Sequence, residues 1–335
     1  MLGILNGYCQ ENIFHKVKFL RLQCFDETPT ILLDDFHTIF PNLERIQVRN
    51  SSYETLFPNK GTTCYQIRKL WLFDLEKIEH IWQEDFPLDH PLFQFLEDLH
   101  VVNCPCLTSL VPSSTSFTNL THLKVDNCKE LIYMITISTA KSLVQLKALE
   151  ITNCEKMLDV VKIDDEEKAE ENIVFENLEY LEFTSLSSLR NFCSGKQTFI
   201  FPSLFSFIVK GCPQMKIFSS ALTIAPCLKK INVEEENMRW KGDLNTTIEQ
   251  MFLEKVHNVI IIYENYLLFL FTKLNKAQSI NFVHVWTVSM ILIMDLLQRL
   301  ALNCLRSNSL NKLKKNLVVR FKPATLHILC IVYTN

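Results

Sequence analysis

The residues best suited to metal chemistry lie close together at His100, Cys104 and Cys106. Imidazole nitrogen and thiolate sulfur are ligands that zinc prefers in proteins. Cys104, however, occupies a position that recurs along the chain and at which a side chain is expected to turn inward. His100 falls on the opposite face of the same predicted strand. The sequence therefore predicts no metal site.

The nearest approach to a nucleotide-binding motif is Gly195-Lys196. A phosphate-binding loop needs G-x-x-x-x-G-K-[ST], whose backbone cradles the phosphates. Arg190 stands where the first glycine should be, and Gln197 stands where Ser or Thr should be. No set of Ser, His and Asp, no H-E-x-x-H motif and no pair of catalytic carboxylates stands out either. We therefore predict that the chain is not an enzyme and has neither catalytic residues nor a cofactor.

The dominant pattern is the frame L-x-x-L-x-V-x-x-C-x-x-L, which must position any functional side chain. It occurs three times, at Leu96, Leu99, Val101, Cys104, Leu107, then Leu120, Leu123, Val125, Cys128, Leu131, and again Leu146, Leu149, Ile151, Cys154, Met157. Apolar residues alternate at the fourth and sixth positions, which predicts a short strand with one buried face. The following apolar positions fall at intervals of three, which favours a turn and an irregular or 3₁₀ segment over a second strand. This is the frame of leucine-rich repeats.

Weaker copies extend the frame in both directions. The first positions lie near residues 17, 43, 67, 96, 120, 146, 178, 204 and 228, at steps of 24 to 32 residues. One copy cannot bury its apolar face alone, so stacked copies must share one core. We therefore predict an α/β solenoid over residues 1–255. It would be a leucine-rich-repeat horseshoe of about nine repeats, with a parallel sheet on the concave face and an irregular or helical convex side.

Four cysteines, Cys104, Cys128, Cys154 and Cys212, recur at the ninth position of the frame. We expect these thiols to be buried and to hydrogen-bond to the backbone of the turn, a structural role. The first 14 residues lack the basic start and the long apolar run of a signal peptide. Both observations predict a cytoplasmic protein with reduced thiols.

Several phrases carry a resemblance to one family. They are Asn-Cys after the strand at residues 103–104, 127–128 and 153–154, AKSLVQL at 140–146, HIWQED at 80–85, and WKGDLNTTI at 240–248. Together they resemble the leucine-rich-repeat region of plant nucleotide-binding leucine-rich-repeat disease-resistance proteins of the coiled-coil type. The resemblance covers about residues 14–255. It implies a role in plant defence: sensing a pathogen effector or a guarded host protein, and restraining a nucleotide switch.

The composition changes sharply after residue 255. Residues 256–335 contain nine Lys and Arg residues and two acidic residues, Glu264 and Asp295, which gives a net charge of +7. Since the whole chain has a net charge of −3, residues 1–255 carry −10. The apolar runs in this basic tail are interrupted by charged residues and are too short to span a membrane cleanly. The tail could be a membrane anchor or a helical pair that covers the end of the solenoid. We favour a third alternative, that it is translated non-coding sequence and no evolved domain.

The predicted concave face is formed by the third, fifth and seventh positions of each frame, including Gln47 and Asp98. Its first three repeats present basic and aromatic residues, and later repeats are more acidic. Arg, Trp and Tyr are the residue types that dominate binding hot spots. We therefore predict a protein-binding face at Arg21, Arg45, Arg49, Lys69, Trp71, His100 and Tyr180.

Two functional alternatives follow. The first is the protein-recognition module of a plant intracellular immune receptor, expected to be a truncated product without a nucleotide-binding domain. Its partner would be a pathogen effector, a host protein or a nucleotide-binding domain on another chain. The second is a stand-alone repeat adaptor of an F-box ubiquitin ligase. We expect neither nucleic acid nor a membrane as partner.

Overall fold

A computed structural model describes residues 11–23, 40–57, 66–83, 87–88, 91–112, 115–164, 172–233 and 238–276. The described residues up to 257 belong to one compact unit, and those from 258 to 276 belong to a second. Most of the basic tail, residues 277–335, lies outside the described residues, so its nature stays a prediction. Among the described helices, none combines the length and apolar composition needed to cross a membrane.

The alternating residues of the frames form one large sheet. Numbered in chain order, its strands are β1 (Phe19–Gln23), β2 (Arg45–Arg49), β4 (Lys69–Phe73), β6 (Asp98–Val102), β7 (His122–Asp126), β9 (Ala148–Thr152), β12 (Tyr180–Thr184), β15 (Ser206–Lys210), β17 (Ile231–Asn232) and β18 (Met238–Arg239). Neighbours in this order pair with one another, all in parallel except β17 with the antiparallel β18. The predicted leucine-rich-repeat solenoid with a parallel concave sheet is confirmed.

The core lies behind this sheet and follows its register. Leu99 pairs with Leu70 on β4 and Leu123 on β7, and Val101 pairs with Leu72 and Val125. The side chains of all these residues are at most 2% exposed. Each alternate row of the sheet therefore becomes a continuous apolar ladder, which gives the array one shared core.

The convex side contains short strands, where the sequence favoured an irregular segment. They are β3 (Thr55–Phe57), β5 (His80–Trp82), β8 (Ile135–Thr136), β10 (Asp159–Lys162), β11 (Ile173–Val174), β13 (Asn191–Cys193), β14 (Phe199–Ile200) and β16 (Thr223–Ile224). They pair in parallel with the equivalent strands of neighbouring coils. The expectation of an irregular segment was wrong at these places. Backbone N–H and C=O groups that find no partner within one repeat form hydrogen bonds with the next coil, which makes the segments strands.

Among the described residues, helices are few. A 3₁₀ turn covers Glu11–Lys16, and α1 (Pro91–Phe95) and α2 (Ile137–Ser142) are short. The longer α3 (Leu244–Lys276) begins inside the compact unit of residues 1–257. Near its start, the Asn245 side chain accepts from Ser219 N–H at 2.9 Å and donates to the Ala221 carbonyl at 2.8 Å. This amide thereby replaces the backbone partners that another repeat would provide.

Seven strands of the main sheet are followed by a residue in the left-handed region of backbone space. The φ angles lie between 47° and 61° at Asn50, Asp74, Asn103, Asn127, Asn153, Ser185 and Gly211. Asn and Asp tolerate this conformation better than most residues, and Gly has no Cβ to oppose it. At Gly211 a Cβ would lie 3.2 Å from the Ser185 Cα, so glycine also permits a close approach of backbones. The asparagines of the Asn-Cys pairs therefore make the turn out of β6, β7 and β9.

The predicted inward cysteines are confirmed. The thiol of each of these four residues donates to the carbonyl oxygen two residues earlier, at 3.3 to 3.6 Å: Cys104, Cys128, Cys154 and Cys212. All four side chains are buried. Burial raises the pKa of Cys154 to about 12 and that of Cys212 to about 11. A hydrogen bond with Cys104, together with burial, raises the pKa of Cys128.

Replacing Asn127 tests the left-handed turn. Asn127→Val should lower the free energy of unfolding by about 2 kcal/mol more than Asn127→Gly does, because a β-branched residue is strained at φ 53° whereas glycine is not. Both variants lose the 2.9 Å hydrogen bond from Asn127 Nδ2 to Asn103 Oδ1, so glycine is the matched control. Urea unfolding followed by circular dichroism measures the difference. Equal stability of the two variants would contradict a strained turn.

Alkylation tests the thiols. In the folded protein, iodoacetamide should modify the exposed Cys106 and Cys227 and spare Cys128, Cys154 and Cys212, because thiolate is the reactive form and burial disfavours it. Urea should make all five equally reactive. Peptide mass spectrometry after short labelling times measures each site separately. If the three buried thiols react as fast as Cys106 before unfolding, the inward register is wrong.

Candidate protein-binding face

Side chains on the open side of the main sheet form rows that follow the strand register. One row joins Arg21, Gln47, Trp71, His100 and Lys124, from β1 through β2, β4 and β6 to β7. The adjacent rows place Arg45 beside Lys69, and Arg49 beside Phe73. Six of the seven predicted binding residues thus lie on four neighbouring strands. The seventh, Tyr180, lies on β12.

Arginine side chains at this end pack on aromatic rings. The guanidinium carbon of Arg45 lies 5.4 Å from the centre of the Phe19 ring and 4.9 Å from that of Trp71. Arg49 lies 4.9 Å from the Phe73 ring, and Arg21 lies 5.7 Å from Phe19. Such cation–π contacts hold flexible cations in place. We call this set the arginine–aromatic cluster: Phe19, Arg21, Arg45, Arg49, Trp71 and Phe73.

Few of the described carboxylates neutralise the arginines of the cluster. Arg21 Nε donates to the neutral Gln47 amide oxygen at 2.9 Å. Arg49 lies 3.7 Å from the Asp74 carboxylate, at the rim of the face. Among the residues that the structure describes, Arg45 has no carboxylate at ion-pair distance. The cluster therefore presents positive charge toward the open space of the face.

Asp98 adjoins the cluster in a buried position. Its carboxylate lies 2.9 Å from His100 Nε2 and 3.7 Å from Lys69 Nζ. The ring of His100 stacks on Trp71, with ring centres 5.6 Å apart and an angle of 13° between the planes. Burial acts to raise the pKa of Asp98, but His100 and Lys69 outweigh it, so this pKa lies below its ordinary value. The ionised form of Asp98 is therefore favoured in this position.

Two residues that the sequence placed on the open face are in fact covered. Gln47 is only 5% exposed and Asp98 only 8%. Arg21, on the adjacent β1, covers Gln47, and Asp98 is covered by His100 of its own strand and by Lys69 of the adjacent β4. Conversely, Phe19 is 42% exposed and supports two arginines, although it was not among the seven predicted residues. Its position in the first frame and its aromatic type could have identified it.

The later strands carry a different, more acidic network. Lys124 Nζ donates to Glu150 at 2.6 Å, and the Tyr180 hydroxyl donates to Glu182 at 2.6 Å. Burial, then the hydrogen bond to Glu182, raises the pKa of Tyr180. Tyr180 is four strands from Trp71, or about 19 Å at the usual strand spacing. The fold therefore does not bring Tyr180 together with the other predicted residues.

The sites considered for other chemistry are not assembled. Within the described ranges, no group of three His, Cys, Asp or Glu side chains is arranged to hold a metal ion. The N–H of Gly195 points to the Cys193 sulfur at 3.3 Å, and Gly195 is buried. Gly195 therefore lies in a packed connection, which leaves no room for a phosphate against its backbone.

The family model for the leucine-rich repeats of RPS2-like plant disease resistance proteins matches residues 4–116 and 113–237. The chain belongs to this family. Comparison with curated proteins and with solved structures gives no significant match. The repeats are thus the leucine-rich-repeat region of the plant disease-resistance family, a kind of module that generally mediates protein–protein interaction. Of the two functional alternatives, the match favours the disease-resistance protein over the F-box adaptor.

Removing the Asp98 charge should make stability less dependent on pH. Since the pKa of Asp98 is lowered by folding, its ionised form stabilises the protein above the ordinary value of about 4, and this contribution is lost as the pH falls. Asp98→Asn should therefore be less stable than the original protein near neutral pH, with the difference shrinking below about pH 4.

Urea unfolding at several pH values measures this difference. Glu76→Gln, in an exposed turn, is the control and should follow the original protein throughout. A difference for Asp98→Asn that stays constant from neutral to acidic pH would contradict the lowered pKa.

Proposed function

We propose that residues 1–255 are the protein-recognition module of a plant intracellular immune receptor, working in the cytoplasm. Its partner is a pathogen effector, a guarded host protein or a nucleotide-binding domain on another chain. We further propose that the module binds without catalysis, and that residues 256–335 contribute no surface to the partner. One observation carries the proposal: a repeat array of the disease-resistance family presents preformed arginine–aromatic contacts on its open sheet face.

The binding residues are proposed to be Arg21, Arg45, Arg49, Lys69, Trp71 and His100, with Tyr180 as a separate contact. Arg and Trp are the types whose truncation most often costs interface energy, and here they occur side by side. The aromatic contacts restrict the arginine side chains before binding, which reduces the entropy lost on association. Six neighbouring side chains form a patch on four strands, and Tyr180 extends contact toward the acidic end of the face.

Charge reversal tests this proposal. The full chain with Arg45→Glu and Arg49→Glu is compared in plant cells with the original chain, each fused to a proximity-labelling enzyme. The control carries Lys129→Glu and Lys156→Glu, which remove two exposed cations that pair with Glu155 and Glu130 away from the open face. We expect a set of proteins labelled by the original and control chains to be lost from the Arg45 and Arg49 variant. Binding of the purified proteins should weaken with added salt, because exposed charges are screened.

The outcome has a clear alternative. If the labelled proteins are the same for all three chains, the open face is not the recognition surface.

A chain ending at Lys255 should label the same proteins as the full chain if the basic tail contributes no partner surface. Sequencing the transcript upstream of Met1 separates the receptor module from the F-box adaptor, since the adaptor alone predicts an F-box there.

A further inference from the structure

We propose that the arginine–aromatic cluster binds an acidic segment of the partner protein, with a carboxylate seated against the guanidinium of Arg45. This inference rests on the proposed recognition function and adds the chemistry of the ligand. It also fixes the polarity of docking, because it places the acidic part of the partner over β1, β2 and β4.

The geometry around Arg45 favours a ligand that pairs with its guanidinium. Phe19 comes from β1 and Trp71 from β4, the strands on either side of β2, and both rings contact the Arg45 guanidinium. A carboxylate can accept two parallel hydrogen bonds from a guanidinium. Arg45 therefore has two aromatic rings that hold its side chain but lacks an acidic partner among the described residues.

The charge around Arg45 supports the same ligand. On the open face of β1, β2 and β4, the side chains at the outward positions include Arg21, Arg45, Arg49 and Lys69 and no Asp or Glu. Lys69 alone among these cations faces a buried carboxylate, that of Asp98. An acidic segment would therefore meet several cations with incomplete neutralisation, which gives electrostatic complementarity.

The extent of the positive surface favours a short protein segment over a nucleic acid. Three strands at the usual spacing cover about 10 Å, the length of about three extended residues. Farther along the face the outward positions include Asp126, Glu150 and Glu182. A nucleic acid following the face beyond β4 would meet these carboxylates and be repelled, whereas a short acidic segment ends before them. The ligand of this cluster is accordingly a peptide carboxylate.

The experiment measures binding of two peptides to the full chain. One is a fluorescent peptide of alternating Glu and Ala, and its counterpart has Gln in place of Glu. An oligothymidylate of matched charge tests for a general anion surface. At low salt we expect the Glu peptide to bind at least about tenfold more tightly than either alternative.

Variants at one position then assign the site. Arg45→Gln should weaken binding of the Glu peptide about tenfold. Arg45→Lys should restore only part of the loss, because an ammonium keeps the charge but not the planar pair of donors. Lys129→Gln, which removes an exposed cation away from the cluster, should bind like the original chain. Thermal unfolding of each variant shows that the fold is kept.

Three results would overturn the inference. They are equal binding of the oligothymidylate and the Glu peptide, equal binding by Arg45→Gln and the original chain, and full recovery with Arg45→Lys. The failure of this inference is distinguishable from that of the proposed function. If cellular partners depend on Arg45 and Arg49 while the Glu peptide does not bind, only the acidic ligand is wrong. If the Glu peptide binds as expected but no cellular partner depends on these arginines, the recognition function is wrong.

Discussion

The architecture depends on one backbone constraint at the end of each strand. The residue after the strand takes a left-handed conformation, and its N–H donates to the carbonyl of the last residue of the next strand. Asn103 reaches Asp126, Asn127 reaches Thr152, and Asn153 reaches Thr184, at 2.9 to 3.0 Å. The turn out of one coil is thereby tied to the strand of the next. Neighbouring strands cannot slip by one residue without breaking these hydrogen bonds and turning their side chains to the wrong face.

The fixed register gives the two faces of the main sheet different roles. The inward rows supply the apolar ladders, and the Cys104, Cys128 and Cys154 thiols satisfy carbonyls within the turn. The outward rows do not have to fill the core. Because every repeat is held in the same register, residues from separate repeats become direct neighbours, as Arg21, Gln47, Trp71 and His100 do. A long, continuously varied open face is the consequence, in a chain that belongs to the leucine-rich-repeat family of plant disease resistance proteins.

The two ends of the open face use different electrostatics. At β7 to β12, Lys124 with Glu150 and Tyr180 with Glu182 make internal pairs. At β1 to β4, arginines rest on aromatic rings, which orient a cation without neutralising it. The first arrangement lowers the attraction for an outside ion, and the second preserves it. Under the proposed function, the partners of the charged side chains therefore decide where a ligand binds along the array, more than the places where the charges occur in the sequence.

Periodicity in the sequence determined the solenoid, the parallel sheet and the inward direction of residues such as Leu99 and Leu123, because burial repeats with the frame. It also identified which side chains face outward, since alternation along a strand needs only local geometry. The convex strands were missed because segments as short as Ile135–Thr136 carry no period and are stabilised by the next coil. The burial of Gln47 and Asp98, and the contacts of Arg45 with the Phe19 and Trp71 rings, were decided by tertiary structure. Gln47 meets Arg21, Asp98 meets Lys69 and Arg45 meets both rings across 26 to 29 positions of the sequence, and only the register between coils brings these residues within reach.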